Sequence, residues 1–144
     1  MTFNDKAVGI IGPVVDSLGL QRVPAPIPAP DIVAWLGPSL FVVVFRESRE
    51  REVILEFGRP IDGDIPRAES DHQWFWLSEL LQLRDEPQVP ISAEGGDVSR
   101  PLDAYAEVLR RLGDELVIGR DELYDHLTAA RKEREAQINE RPPT

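Results

Sequence analysis

The tightest constraint on this chain is a run of three apolar segments joined by loops too short for anything but hairpins. Asp31 to Leu36, Leu40 to Arg46 and Arg51 to Phe57 are separated only by Gly37-Pro38-Ser39 and by Glu47-Ser48-Arg49-Glu50. A parallel pairing would need a crossover of roughly a dozen residues or more, so neighbours in this run must be antiparallel. The expectation is a three-stranded antiparallel meander. Leu40-Phe-Val-Val-Val-Phe45 is apolar at every position, as a central strand covered on both faces would be. The third segment alternates instead, turning Val53, Leu55 and Phe57 toward a core and Glu52 and Glu56 outward.

Helical periodicity surrounds this run. Phe3, Ala7, Val8, Ile11, Val14, Val15 and Leu18 recur at helical spacing and Gly19 follows as a C-terminal stop, with Pro13 marking a kink. Prolines at 24, 26, 28 and 30 then favour a stiff, extended spacer, and none of them lie three apart as a PxxP ligand requires. After a polar loop from Gly58, Ser70 and Gln73 have the form of a capping box opening a helix through about Arg84, with Trp74, Leu77, Leu80, Leu81 and Leu83 on its apolar side. Asp85 to Val98 reads as a second acidic loop. Leu102, Tyr105, Leu109, Leu112 and Leu116 define another helix, irregular at Gly113 and closed by Gly119. The last begins near Asp121 and loses its apolar stripe at Arg131-Lys-Glu-Arg-Glu135, which reads as solvated; residues 141–144 form a frayed tail. Strands and helices are thus segregated along the chain, which marks the α+β class. Residues 1–140 read as one such domain: an N-terminal helix, the meander, and three C-terminal helices packed on the sheet.

Charge removes several functional classes. The 144 residues contain 16 Lys and Arg against 26 Asp and Glu, a formal charge of −10, which repels phosphate backbones and anionic lipid alike. Neither nucleic acid nor membrane is expected as a partner. The longest apolar stretch, Ile32 to Phe45, falls short of the roughly 20 residues that span a bilayer. Ala7 to Val15 lacks the basic leader of a signal peptide, so a cytoplasmic location is expected. With no cysteine and two histidines, thiol chemistry and thiolate or imidazole metal sites have little to work with, and no cofactor or metal is expected.

The charge is also unevenly placed. Residues 61–99 hold 9 acidic and 2 basic residues. Asp62, Asp64, Glu69 and Asp71 cluster there, with His72 beside them, but Ile65-Pro66-Arg67 interrupts the alternation a calcium loop demands. They read as loop acids. No G-x-S-x-G, P-loop, G-x-G-x-x-G or H-E-x-x-H occurs, and nothing in the spacing nominates a catalytic residue. The most unusual local feature is Trp74-Phe75-Trp76. Successive helical residues point about 100° apart, so three large aromatics cannot share one buried stripe; a sandwiched helix that buries a wide arc is the first reading, and an aromatic at the surface as an interface anchor is the alternative.

The first helix ending Leu18-Gly19-Leu20, the hairpins from Leu40 to Phe57, and the C-terminal Leu102, Ala106, Leu109, Arg110, Leu116, Gly119 and Asp121 together resemble a loose class of small uncharacterised bacterial proteins, some similar to toxin-neutralising immunity proteins. The resemblance implies a non-catalytic, partner-binding role and carries over no functional residue. The expectation is therefore a protein-binding domain that presents Asp62, Asp64, Glu69, Asp71, Trp74, Phe75 and Trp76 to a basic protein partner. The alternative is a small-molecule-binding domain or enzyme with a pocket between sheet and helices, lined by Trp35, Trp74 and Tyr105.

Overall fold

The structure is a computed structural model and describes residues 1–47, 49, 51–67 and 73–139. Its centre is an antiparallel sheet of five strands in sequential order: β1 (Gln21–Val23), β2 (Ile32–Leu36), β3 (Phe41–Glu47), β4 (Glu52–Gly58) and β5 (Phe75–Trp76). The expected meander is its middle, with β3 paired on both sides as the apolar run requires. The added edge strands are very short, which limits pairing with another chain.

β5 corrects the expected helix over residues 73–76. Phe75 pairs with Phe57 and Trp76 with Glu56, so the aromatic triplet follows a period of two: Phe75 points to one face of the sheet and Trp74 and Trp76 to the other. Large aromatics suit a pleated surface better than a helix start. Gly58 permits this pairing, because a Cβ there would stand 2.1 Å from the Gln73 carbonyl oxygen and 2.8 Å from the Phe41 ring. The helix α3 begins only at Leu77 and ends at Leu83. Ser70, and with it the proposed capping box, lies outside the described residues. The working cap is Glu79, whose Oε2 accepts from the Trp76 backbone N–H at 2.7 Å.

The remaining helices are α1 (Phe3–Ile10), α2 (Gly12–Ser17), α4 (Ser99–Ile118) and α5 (Asp121–Asn139). α1 and α2 are the expected N-terminal helix, broken at Ile11 where Pro13 follows, and started by a reciprocal Thr2 and Asp5 capping box. Gly19 and Gly119 take the left-handed conformation that ends a helix, with φ of 87° and 59°. α4 runs unbroken through Gly113, against whose bare Cα the Leu18 side chain packs. The acidic segment after α3 is partly ordered by the sheet: the Val53 N–H donates to the Ile91 carbonyl and the Ala93 N–H to the Arg51 carbonyl, both at 2.8 Å.

Among the described residues, α1 to α4 and the first half of α5 pack on one face of the sheet. Val33, Trp35, Val42, Val44, Val53, Leu55, Phe57 and Phe75 meet Ile11, Leu80, Leu102, Leu109 and Leu127 in the main core. Among the described residues the opposite face carries no helical layer, yet Ile32, Ala34, Phe41, Val43 and Trp74 are buried there as well. Trp74 packs on Phe41, with ring centroids 5.3 Å apart, and its indole N–H donates to the Pro66 carbonyl at 2.7 Å, which ties Pro66 to one end of that face.

Candidate binding site

The other end of the outer face is open. Strand register aligns Val23, Ala34, Val43, Glu56 and Trp76 in one row across all five strands, so a single carboxylate and an indole stand side by side in an otherwise apolar row. Around them lies a trough of about 830 Å³. Its floor is Ile32, Phe45, Glu56 and Trp74; one wall is the proline spacer through Ile27, Ala29 and Pro30; the other is Trp76 with Arg131 and Glu135 of α5. Trp76 is 46% exposed, and on its far side a second hollow is bordered by Ser78, Arg134 and the exposed Ile138. The indole is thus a ridge between two concavities.

Two ion pairs fix the trough walls. Arg46 donates through Nε and Nη2 to Asp31, at 3.0 and 2.6 Å. Arg131 donates through Nε and Nη2 to Glu79 at 2.9 and 2.7 Å, and through Nη2 to the Trp74 carbonyl at 2.7 Å. Its guanidinium lies over the Phe75 ring, 4.6 Å from the centroid. The Glu79 partner holds the Arg131 guanidinium ionised beyond its ordinary range. The expectation that the Arg131 to Glu135 segment is merely solvated is therefore corrected. Arg131 is drawn in by Glu79, 52 residues away in sequence, and such a partner leaves no trace in local periodicity.

Glu56 is different. Burial pushes its carboxyl above the ordinary carboxylate range, against the opposing pull of the Trp76 side chain and the Arg131 charge. The outward direction read from alternation is right, but outward here means into a half-covered trough. A carboxylate held in that setting interacts more strongly with an incoming cation than one in bulk water.

Of the residues nominated from sequence, Trp74 and Trp76 line this trough. Phe75 faces the main core and is 2% exposed. Asp62 and Asp64 are exposed on a tight turn closed by reciprocal Ile61 and Asp64 backbone hydrogen bonds of 2.9 and 3.0 Å, and they do not line the trough. Glu69, Asp71 and His72 lie outside the described residues. The pocket expected between Trp35, Trp74 and Tyr105 is not formed. Trp35 and Tyr105 are buried in the main core, where the Tyr105 hydroxyl donates to the Val53 carbonyl at 2.7 Å, and Trp74 is on the opposite side of the sheet. Sequence reasoning missed Glu56 and Arg131. The alternation of Trp74 and Trp76 about Phe75 was the available signal for a strand there.

Among the described residues no cluster of three or more acidic or histidine side chains is placed to hold a metal ion, and no helix is long and apolar enough to cross a membrane. Comparison with protein-family models gave no match, and neither did comparison with curated proteins or with solved structures.

Proposed function

We propose that this chain is a non-catalytic binding domain that engages a basic protein partner through the trough on the outer face of its sheet. The observation that carries this reading is Trp76: a half-exposed tryptophan on a sheet edge, between two hollows and beside a half-buried carboxylate, has the form of an interface anchor. Charge supports a basic partner. Asp31, Glu47, Glu56 and Glu135 line the trough against Arg46 and Arg131, within a chain of formal charge −10. Among the described residues the polar groups of the lining are carboxylates, guanidinium groups and an indole, all of which suit recognition of a charged partner. An immunity-type role, in which such a surface covers a basic toxin, is the specific form of this reading that the sequence resemblance implies. Asp62 and Asp64 contribute to long-range steering from outside the trough.

The test is partner capture from the native host's lysate, followed by binding kinetics from low to physiological salt. The association rate falls steeply with salt, and Trp76→Ala speeds dissociation by an amount worth about 2 kcal/mol or more. A partner that associates independently of salt and binds Trp76→Ala as it binds the native chain overturns the reading. The size of the trough, within the usual span of ligand pockets, favours the small-molecule alternative as runner-up. A ligand-dependent rise in melting temperature without any protein partner would establish it.

A further inference from the structure

Three arginines of this protein sit in one recurring arrangement, each over an aromatic ring and paired with a carboxylate. Arg46 lies over Phe3, 5.9 Å from the ring centroid, and pairs with Asp31. Arg59 lies over Tyr124 at 4.4 Å and pairs with Asp121. Arg131 lies over Phe75 at 4.6 Å and pairs with Glu79. The physical reason is general: a guanidinium is planar and weakly hydrated, so it stacks on a ring while its edge donates two parallel hydrogen bonds to a carboxylate. A fourth ring and carboxylate stand together at Trp76 and Glu56, opposed in the strand register, and they face the trough.

Resting on the binding role proposed above, we infer that this trough is a receptor for an arginine side chain of the partner protein, its guanidinium stacked on Trp76 and its edge paired with Glu56. The charge balance selects a cation. Arg46 and Arg131 are engaged by Asp31 and Glu79, and with Glu47, Glu56 and Glu135 also in the lining the trough keeps an acidic excess. The surroundings select arginine over lysine. Ile27, Ile32, Phe45 and Trp74 make the trough predominantly apolar, and an ammonium gives up its water less readily than a guanidinium and cannot stack as a plane.

The test is a titration of the full chain with three capped pentapeptides that differ only in a central arginine, lysine or citrulline, followed by the indole N–H resonances of Trp35, Trp74 and Trp76. The arginine peptide shifts the Trp76 resonance saturably and leaves Trp35, in the main core, unmoved. The lysine peptide binds about tenfold more weakly and the neutral citrulline peptide shows no saturation. Glu56→Gln and Trp76→Ala each weaken the arginine peptide about tenfold, and Trp76→Phe, which keeps a ring, restores most of the affinity. Variants that remain folded at the titration temperature, Glu56→Gln melting no lower than the native chain, exclude unfolding as the cause. Equal affinity for lysine, or full affinity in Glu56→Gln, overturns the proposal. The two readings fail separately: a captured basic partner that depends on Trp76 but ignores Glu56 sinks the arginine receptor and leaves the binding role. Arginine-selective binding with no basic protein partner captured does the reverse.

Discussion

Replacing Glu79 by alanine removes the residue on which the trough wall, the start of α3 and the docking of α5 all converge. Its two carboxylate oxygens accept from Arg131 Nε at 2.9 Å, Arg131 Nη2 at 2.7 Å, Arg134 Nη2 at 2.8 Å and the Trp76 backbone N–H at 2.7 Å. The Glu79 side chain is 9% exposed and that of Arg131 18%, so the pair is mostly desolvated, whereas Arg134 at 39% recovers water when released. Breaking a buried pair costs about 3 to 5 kcal/mol, and the partial exposure of Arg131 places this one at the lower end. The exposed Arg134 contact adds about 0 to 1 kcal/mol and the lost cap roughly 1. The expected destabilisation is about 4 kcal/mol, a large part of a total stability of roughly 5 to 15. For a chain of this size it lowers Tm by about 10 °C. Glu79→Gln, which still accepts from the Trp76 N–H, loses about half as much. The assay is thermal unfolding by circular dichroism, with Arg131→Met and the double variant closing a cycle whose coupling is about 2 kcal/mol. A fall of less than about 3 °C for Glu79→Ala, or additive single variants, would show the pair to be solvated and the reasoning wrong.

Glu56→Gln acts in the opposite direction. Because burial raises the Glu56 pKa in the folded state, its contribution to stability is complete below the ordinary carboxylate range and is lost as pH rises through the raised value. The glutamine variant therefore melts higher than the native chain at neutral pH and equally near pH ~3, below both values; equal melting at both would refute the burial argument. Gly58→Ala forces a Cβ against the Gln73 carbonyl and the Phe41 ring and is expected to cost about 2 to 4 kcal/mol by urea unfolding, with β5 displaced; a near-neutral effect would disprove the β4 to β5 register. The two buried tyrosines separate by their partners. Tyr105→Phe breaks the hydrogen bond to the Val53 carbonyl and destabilises by about 1 to 2 kcal/mol, whereas the Tyr124 hydroxyl is buried without a hydrogen-bond partner among the described residues and Tyr124→Phe is neutral or stabilising in the same assay.

Burial also pushes the Tyr124 phenol up to about 12, so neither the fold nor the Arg59 stacking over its ring changes with its ionisation below that range. The acid side of the pH profile is set by carboxyl groups instead. Asp5 lies below its ordinary value because the Thr2 backbone N–H and hydroxyl side chain hold its charged form at the first helix.

The strands β2, β3 and β4, their antiparallel order and the helices α1, α4 and α5 were legible in the amino-acid sequence because each is encoded by contiguous periodicity and by loops too short to permit another connection. The aromatic triplet was also visible, together with the geometric objection to burying all of it on a helix. What the sequence did not determine was the pairing that resolves that objection: Phe57 with Phe75 and Glu56 with Trp76 are some twenty positions apart, and that pairing depends on Gly58 letting the Gln73 carbonyl approach. The same holds for the site. Glu56 reads locally as a solvent-facing strand residue and Arg131 as part of a charged helical run; only the tertiary structure sets the first in a trough bounded by the proline spacer and α5 and gives the second its partner in Glu79. Local periodicity reports which face of an element a residue occupies, and burial of that face is settled by whatever distant segment folds over it.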